Sequence, residues 1–304
     1  MRFSYLFIIA TLIYSFNSIA STQDYVVGGE PVKSNDPIQA STVGIFEPSP
    51  DGQSGSLCTG TLVRKDMALT AAHCLSGDNG KASVIFGPNL HSALAPHRTI
   101  QEVAINPKWA NHSEKSMDQG DIALVKFKGG LPQTYKPIAA LGSEREIKAG
   151  GEVTLAGYGI SDAQNKTGAG ELRKARVRIE KNRPGKSEMI LDQSHGQGAC
   201  HGDSGGPAFL RQGKQIKLAG VTNRAYPNHA PDDCAHRVVY TKVPAYESWI
   251  KSSERKLAKA SEPNAPLKMK TKMTRVGHLR NSKIRVQHAR ISRIRSHHQR
   301  KMKS

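Results

Sequence analysis

Residues Ala199 to Pro207 read ACHGDSGGP, a serine set among three glycines, a proline, an aspartate and a cysteine. Alone, such a run marks a tight turn, because glycine reaches backbone angles closed to other residues and proline fixes one of its own. Two other stretches change its meaning. LTAAHC, Leu69 to Cys74, offers a histidine among small residues beside a cysteine, and GDIALVKF, Gly120 to Phe127, sets an aspartate at the head of an apolar run. His73, Asp121 and Ser204 therefore follow one another as imidazole, carboxylate and alcohol. A serine hydroxyl is a weak nucleophile at neutral pH and needs a base to take its proton. An imidazole titrating near about 6.5 can take it, and a carboxylate behind the ring holds the productive tautomer.

Outward from these stretches the chain is a succession of short apolar runs cut by Gly, Pro, Asn and Asp. They include STVGIF, GTLVRKDMALTAA, ASVIFG, TIQEVAI, GEVTLAGYG, ARVRIE, PAFLRQ, IKLAGVT and RVVYTKV. Their length and their Val, Ile and Thr content favour strands, so an all-β barrel or sandwich is expected. PAYESWIKSSERKLAKA, from Pro244, differs: Tyr246, Trp249 and Ile250 recur at helical spacing behind a proline, which predicts one C-terminal helix.

The two ends have other compositions. Residues 1–20 carry an early Arg2, the apolar run YLFIIATLIY and the small residues SIA, the layout of a cleavable secretory signal. The alternative is an uncleaved anchor, but the run is shorter than the roughly 20 residues that span a bilayer, and no later segment is apolar enough. An exported chain follows, with no transmembrane segment after signal removal. The formal charge of +19 is concentrated at the other end: 17 of the 44 Lys and Arg lie in 251–304 against two acids. The body is close to neutral, and residues 261–304 form a basic tail expected to be disordered, since such a composition buries too little apolar area to order itself. That tail is a candidate for binding a polyanion (nucleic acid, anionic lipid or a surface polymer), a plain solvated extension being the alternative. Four cysteines, Cys58, Cys74, Cys200 and Cys234, suit two disulfides in an exported protein, with three pairings open. Zinc is the rival use, but no C-x-x-C or helical His pair accompanies them.

VVGG at Val26 to Gly29, TAAHC, DIAL and GDSGGP, in this order, resemble the trypsin and chymotrypsin family of serine proteases over about residues 26–255. The resemblance implies two six-stranded antiparallel β-barrels with a C-terminal helix, a protease domain over 26–260, and an active site in the cleft between barrels. It implies a secreted, monomeric serine endopeptidase acting on polypeptides with catalytic His73, Asp121 and Ser204. The N–H groups of Gly202 and Ser204 would form the oxyanion hole. Residues 21–25 would be a propeptide, and cleavage before Val26 would free an amino group to pair with Asp203. Disulfides Cys58–Cys74 and Cys200–Cys234 are implied too. No cofactor and no metal is expected; GPNLHS, where relatives bind calcium, offers no carboxylate.

The resemblance also locates a specificity pocket. Gly198, six residues before Ser204, takes the position of its floor, with Val238 on one wall and Ala225 on the other. A glycine floor disfavours Lys and Arg, and the two walls narrow the slot toward small or medium apolar P1 side chains. His201 is placed at the pocket entrance. Arg224, Asp232 and Asp233 fall in a region that departs from the family pattern and could bring either charge sign into the pocket. Tyr25, before the processing bond, conflicts with self-activation and points to an outside activator.

Overall fold

The computed structural model describes residues 26–49, 51, 54–75, 82–113, 116–213, 215–227 and 234–260. The expected signal segment 1–20, the expected propeptide 21–25, Asp232, Asp233 and the tail 261–304 lie outside the described residues. The all-β expectation holds. The elements run β1 (Glu30–Pro31), α1 (Pro37–Ser41), β2 (Thr42–Pro48), β3 (Gly55–Arg64), β4 (Met67–Thr70), β5 (Ser83–Ile85), β6 (His97–Ile105) and β7 (Ala123–Phe127). They continue with β8 (Glu152–Gly157), β9 (Arg173–Lys181), β10 (Glu188–Asp192), β11 (Pro207–Gln212), β12 (Gln215–Ala225), β13 (Arg237–Lys242) and α2 (Glu247–Ala260).

The strands close into two antiparallel barrels. In the first the order is β2-β3-β4-β7-β6-β5, closed by β5 on β2. In the second it is β9-β10-β13-β12-β11-β8, closed by β8 on β9, and the short β1 takes the stretch of β9 that β10 does not reach. Closure leaves no long edge to pair with another chain. Alternation along β9 turns Arg173, Ala175, Val177 and Ile179 inward while Arg176 and Arg178 face solvent. Strands β4 and β7 are buried throughout, Lys126 of β7 included.

Three elements escaped the quoted runs: the two-residue β1, β10 and α1. β10 opens on Glu188 and has only Met189, Ile190 and Leu191 as an apolar stretch. α1 is a five-residue turn capped by Asp36, whose carboxylate accepts from the Ile38 N–H at 3.0 Å, with proline at the first helical position.

After β13 the chain makes a 3-10 turn, Val243–Tyr246, and enters α2. Tyr246, Ile250, Ser253 and Leu257, spaced four, three and four apart, form its buried stripe. Although α2 follows the second barrel, it packs on β6 and β7 of the first. Lys126 on β7 donates from Nζ to the Leu257 carbonyl at 2.9 Å, satisfying an end-of-helix acceptor, and Arg64 pairs with Glu254 at 2.6 Å. Burying each large apolar side chain of the stripe is worth about 1.5–3 kcal/mol.

Candidate active site

His73 sits in a 3-10 turn, Ala72–Leu75, directly after β4, and Asp121 sits two residues before β7, the neighbour of β4. That register brings the two side chains together. His73 Nδ1 and Asp121 Oδ2 are 2.7 Å apart, and Asp121 Oδ1 accepts the His73 backbone N–H at 2.9 Å. Asp121 is fully buried, whereas the imidazole keeps 32% of its surface exposed. Burial pushes the ring toward its neutral form, but the charge of Asp121 and its hydrogen bond outweigh this, so the His73 pKa is raised above the ordinary 6.5. Thr241 on β13 donates from Oγ1 to the Asp121 carbonyl at 3.0 Å, tying this loop of the first barrel to the second.

Ser204 belongs to the turn before β11. Its carbonyl accepts from the Thr59 N–H of β3 at 2.8 Å and lies 3.6 Å from Cys74 Sγ, one residue from His73. Ser204 thus stands beside the histidine turn, across the barrel junction. Among the described residues no hydrogen bond joins its hydroxyl to His73. Among the described residues the backbone N–H groups of Asp203, Gly205 and Gly206 all donate to carbonyls, while those of Gly202 and Ser204 donate to none. Gly202 has φ +97°, and a Cβ there would stand 2.8 Å from Gly159 Cα. Thr59 also donates from Oγ1 to the Gly202 carbonyl at 2.9 Å, so this one residue of β3 holds both ends of the turn.

Asp203 points away from the crevice into the second barrel. Its carboxylate accepts from the N–H groups of Gly159 at 2.8 Å and Cys200 at 2.9 Å, and it is 2% exposed. Gly157 and Gly159 leave the room it fills, since a Cβ on either would collide with it. Burial raises its pKa to about 7, the two N–H bonds acting in the opposite direction. Val26 is 1% exposed and packs in the same apolar cluster as Ala199 and Val238, and the Gly198 N–H donates to the Val27 carbonyl at 2.8 Å.

A cavity of about 300 Å³ opens beside Ser204. Ala225 and Val238 line it and Gly198 does not; the side chain of Gln193 fills the space into which a Gly198 Cβ would project. His201 lines the cavity and is exposed. Arg224 also lines it, but its guanidinium forks onto Glu188 with two 3.0 Å bonds. Glu188, fully buried, further accepts from the Gln119 N–H at 3.2 Å and from Asn223 Nδ2 at 3.3 Å. A fork of this kind is neutralised on site, so Arg224 brings no net charge to the pocket. Arg237, on the same lining, pairs with Glu180. Neither Gln193 nor Glu188 was singled out from the sequence; a charged residue opening the apolar run EMIL was the one available signal for the latter.

The cysteines form the pairs the resemblance implied. Cys58 is bonded to Cys74, clamping the histidine turn to β3, and Cys200 to Cys234, across the pocket.

Two closed antiparallel barrels carrying a histidine–carboxylate pair and a glycine-bounded serine at their junction define the chymotrypsin-like class of hydrolases. The Trypsin family model matches residues 26–250, and the chain belongs to that family. It is similar to Granzyme M of Rattus norvegicus, 29% identical over an alignment of 216 residues that covers 64% of this chain and 78% of that protein. Its fold is similar to that of neuropsin, a serine protease expressed in the limbic system of mouse brain, with a TM-score of 0.58 at 24% identity, over 74% of this chain and 98% of the other. At the level of the family the chain is a peptidase of the serine type.

Proposed function

We propose that this chain is a secreted serine endopeptidase that works through His73, Asp121 and Ser204 and an acyl-enzyme intermediate. The observation that carries the reading is the His73–Asp121 pair, its imidazole partly exposed, with the Ser204 carbonyl 3.6 Å from Cys74 Sγ on the adjoining residue. Ser204 Oγ attacks the scissile carbonyl as its proton passes to His73 Nε2, and the carbonyl oxygen becomes an oxyanion facing the two uncommitted N–H groups of Gly202 and Ser204. Collapse breaks the C–N bond and returns the proton to the leaving amine. Water then repeats the sequence on the ester and frees Ser204. Asp121 stabilises the imidazolium in both halves without taking its proton.

Cleavage before Val26 is the proposed activating step. The buried Val26 side chain and an Asp203 carboxylate held by N–H groups supply the environment in which a new ammonium group would be favourable. Ala225 and Val238 support a preference for small or medium apolar P1 residues. Export fits the two disulfides. Monomeric action and capture of polyanions by residues 261–304 complete the proposal, the latter checked by salt-sensitive heparin retention that truncation at Ser261 abolishes.

Fluorophosphonate labelling tests the catalytic core. The Val26-starting form should label at Ser204 and hydrolyse peptides, and His73→Ala and Ser204→Ala should do neither. Unlabelled wild-type protein with its amino terminus at Val26 would refute the reading.

A further inference from the structure

The pocket beside Ser204 is closed at its base by a side chain of the chain itself. Gln193, in the turn after β10, is 1% exposed and lines the cavity together with Ala225 and Val238. Its amide is committed to the backbone on every side. Oε1 accepts from the Ala199 N–H at 2.7 Å, and Nε2 donates to the Cys234 carbonyl at 2.7 Å and the Ala199 carbonyl at 3.2 Å. A primary amide has two protons to give, and both are used. These bonds hold the side chain in one rotamer, reaching from the turn before Ser204 to the far wall. The Cys200–Cys234 disulfide fixes that wall.

Gly198 lacks a side chain because Gln193 needs its place: a Cβ there would collide with Gln193 Cδ. A pocket with a bare glycine floor would be deep. Here the space that Gly198 leaves is taken by Gln193, a neutral group whose two amide protons are both committed. A P1 ammonium or carboxylate entering would lose its water and, among the described residues lining the cavity, find Arg224 and Arg237 already paired to Glu188 and Glu180. A large apolar P1 group would meet the amide before it was buried.

We infer that Gln193 is a specificity-determining residue of this peptidase, a built-in plug that limits P1 to side chains of about the size of alanine to valine. The inference rests on the protease reading above and adds to it the residue that sets pocket depth. Removing the plug extends the pocket without touching His73, Asp121 or Ser204.

The test is kcat/KM on peptides differing only at P1 (Ala, Val, Leu, Phe, Arg), using the Val26-starting protein. Wild type is expected to favour Ala and Val. Gln193→Ala should raise Leu and Phe relative to Ala by about 10-fold or more, because each methylene accommodated in an apolar pocket is worth about 10–200-fold. Gln193→Asn keeps the amide but retreats by one methylene; it should raise Leu several-fold relative to Ala, and it carries the test even where Gln193→Ala does not fold. Fluorophosphonate labelling of each variant verifies an assembled site. Wild type that neither labels nor cleaves removes the protease reading and the inference with it. Wild type that cleaves, with folded Gln193 variants keeping its P1 profile, overturns the inference alone, as does wild type that accepts Phe or Arg as well as Ala.

Discussion

Asp203 should make the unprocessed chain sensitive to pH in a way the processed chain is not. In the uncleaved form its carboxyl is buried with two N–H donors and titrates at about 7, against an ordinary value of 3.8. A carboxyl whose pKa is raised by folding contributes stability below 3.8 and loses it as pH rises toward the folded value. Between those limits the loss is about 1.4 kcal/mol per pH unit, so it accumulates to about 4 kcal/mol and is complete above the folded pKa. Moving from pH 5 to pH 8 crosses about two of those units, a fall of about 3 kcal/mol. Asp203→Asn removes the titration but leaves one of the two N–H groups facing an NH2, at a cost of about 1–3 kcal/mol. At pH 8 the uncleaved Asn variant should therefore be the more stable of the two by about 1–3 kcal/mol, and at pH 5 the advantage should vanish or reverse. Once Val26 carries a free ammonium the sign inverts, because the carboxylate gains a buried partner and its removal costs about 3–5 kcal/mol. The assay is equilibrium urea unfolding with disulfides intact, on Ser204→Ala protein starting at Ser21 and at Val26. The reasoning fails if the Ser21 form shows the same pH 5 to pH 8 change with Asp and with Asn at position 203, or if Asp203→Asn destabilises both forms equally at pH 8.

Other outcomes follow from the same geometry. Because Asp121 raises the His73 pKa, the acid limb of kcat/KM should have its midpoint above 6.5, and Asp121→Asn should move that midpoint down while lowering the plateau. Gly202→Val, which places a Cβ against Gly159, should lower kcat by about 10²–10³-fold or more with little change in KM, as read by steady-state kinetics on folded protein. Arg224→Ala strands the buried Glu188 carboxylate and should cost about 3–5 kcal/mol in urea, part of it recovered in Glu188→Gln/Arg224→Ala, whose uncharged amide oxygen can still accept from Gln119.

How far the sequence reached differs between elements for physical reasons. Strands such as β9 and β12 were legible because Val, Ile and Leu recur with a period of two or fill a buried run. β10 was not, because its apolar stretch is three residues between two acids. Barrel closure leaves no trace in periodicity; it entered through the motif resemblance alone. At the site, His73, Asp121 and Ser204 stood out since their neighbours carry the motif. The Glu188–Arg224 fork joins residues 36 apart and arises only from the register of β10 on β13 and of β13 on β12. Gln193 lies in a polar turn where a glutamine has no spacing signature, and its burial comes from the strand ends around it.

The strap formed by α2 sets where the molecule can be cut. Its final turn, which ends at Ala260, is latched by Lys126 to a β-strand of the opposite lobe. A host protease that trims the basic extension up to that point leaves both lobes joined. One that cuts a further turn inward removes the Leu257 tie and leaves the alcohol and the imidazole held by the bonds from Thr59 to Gly202 and from Thr241 to Asp121.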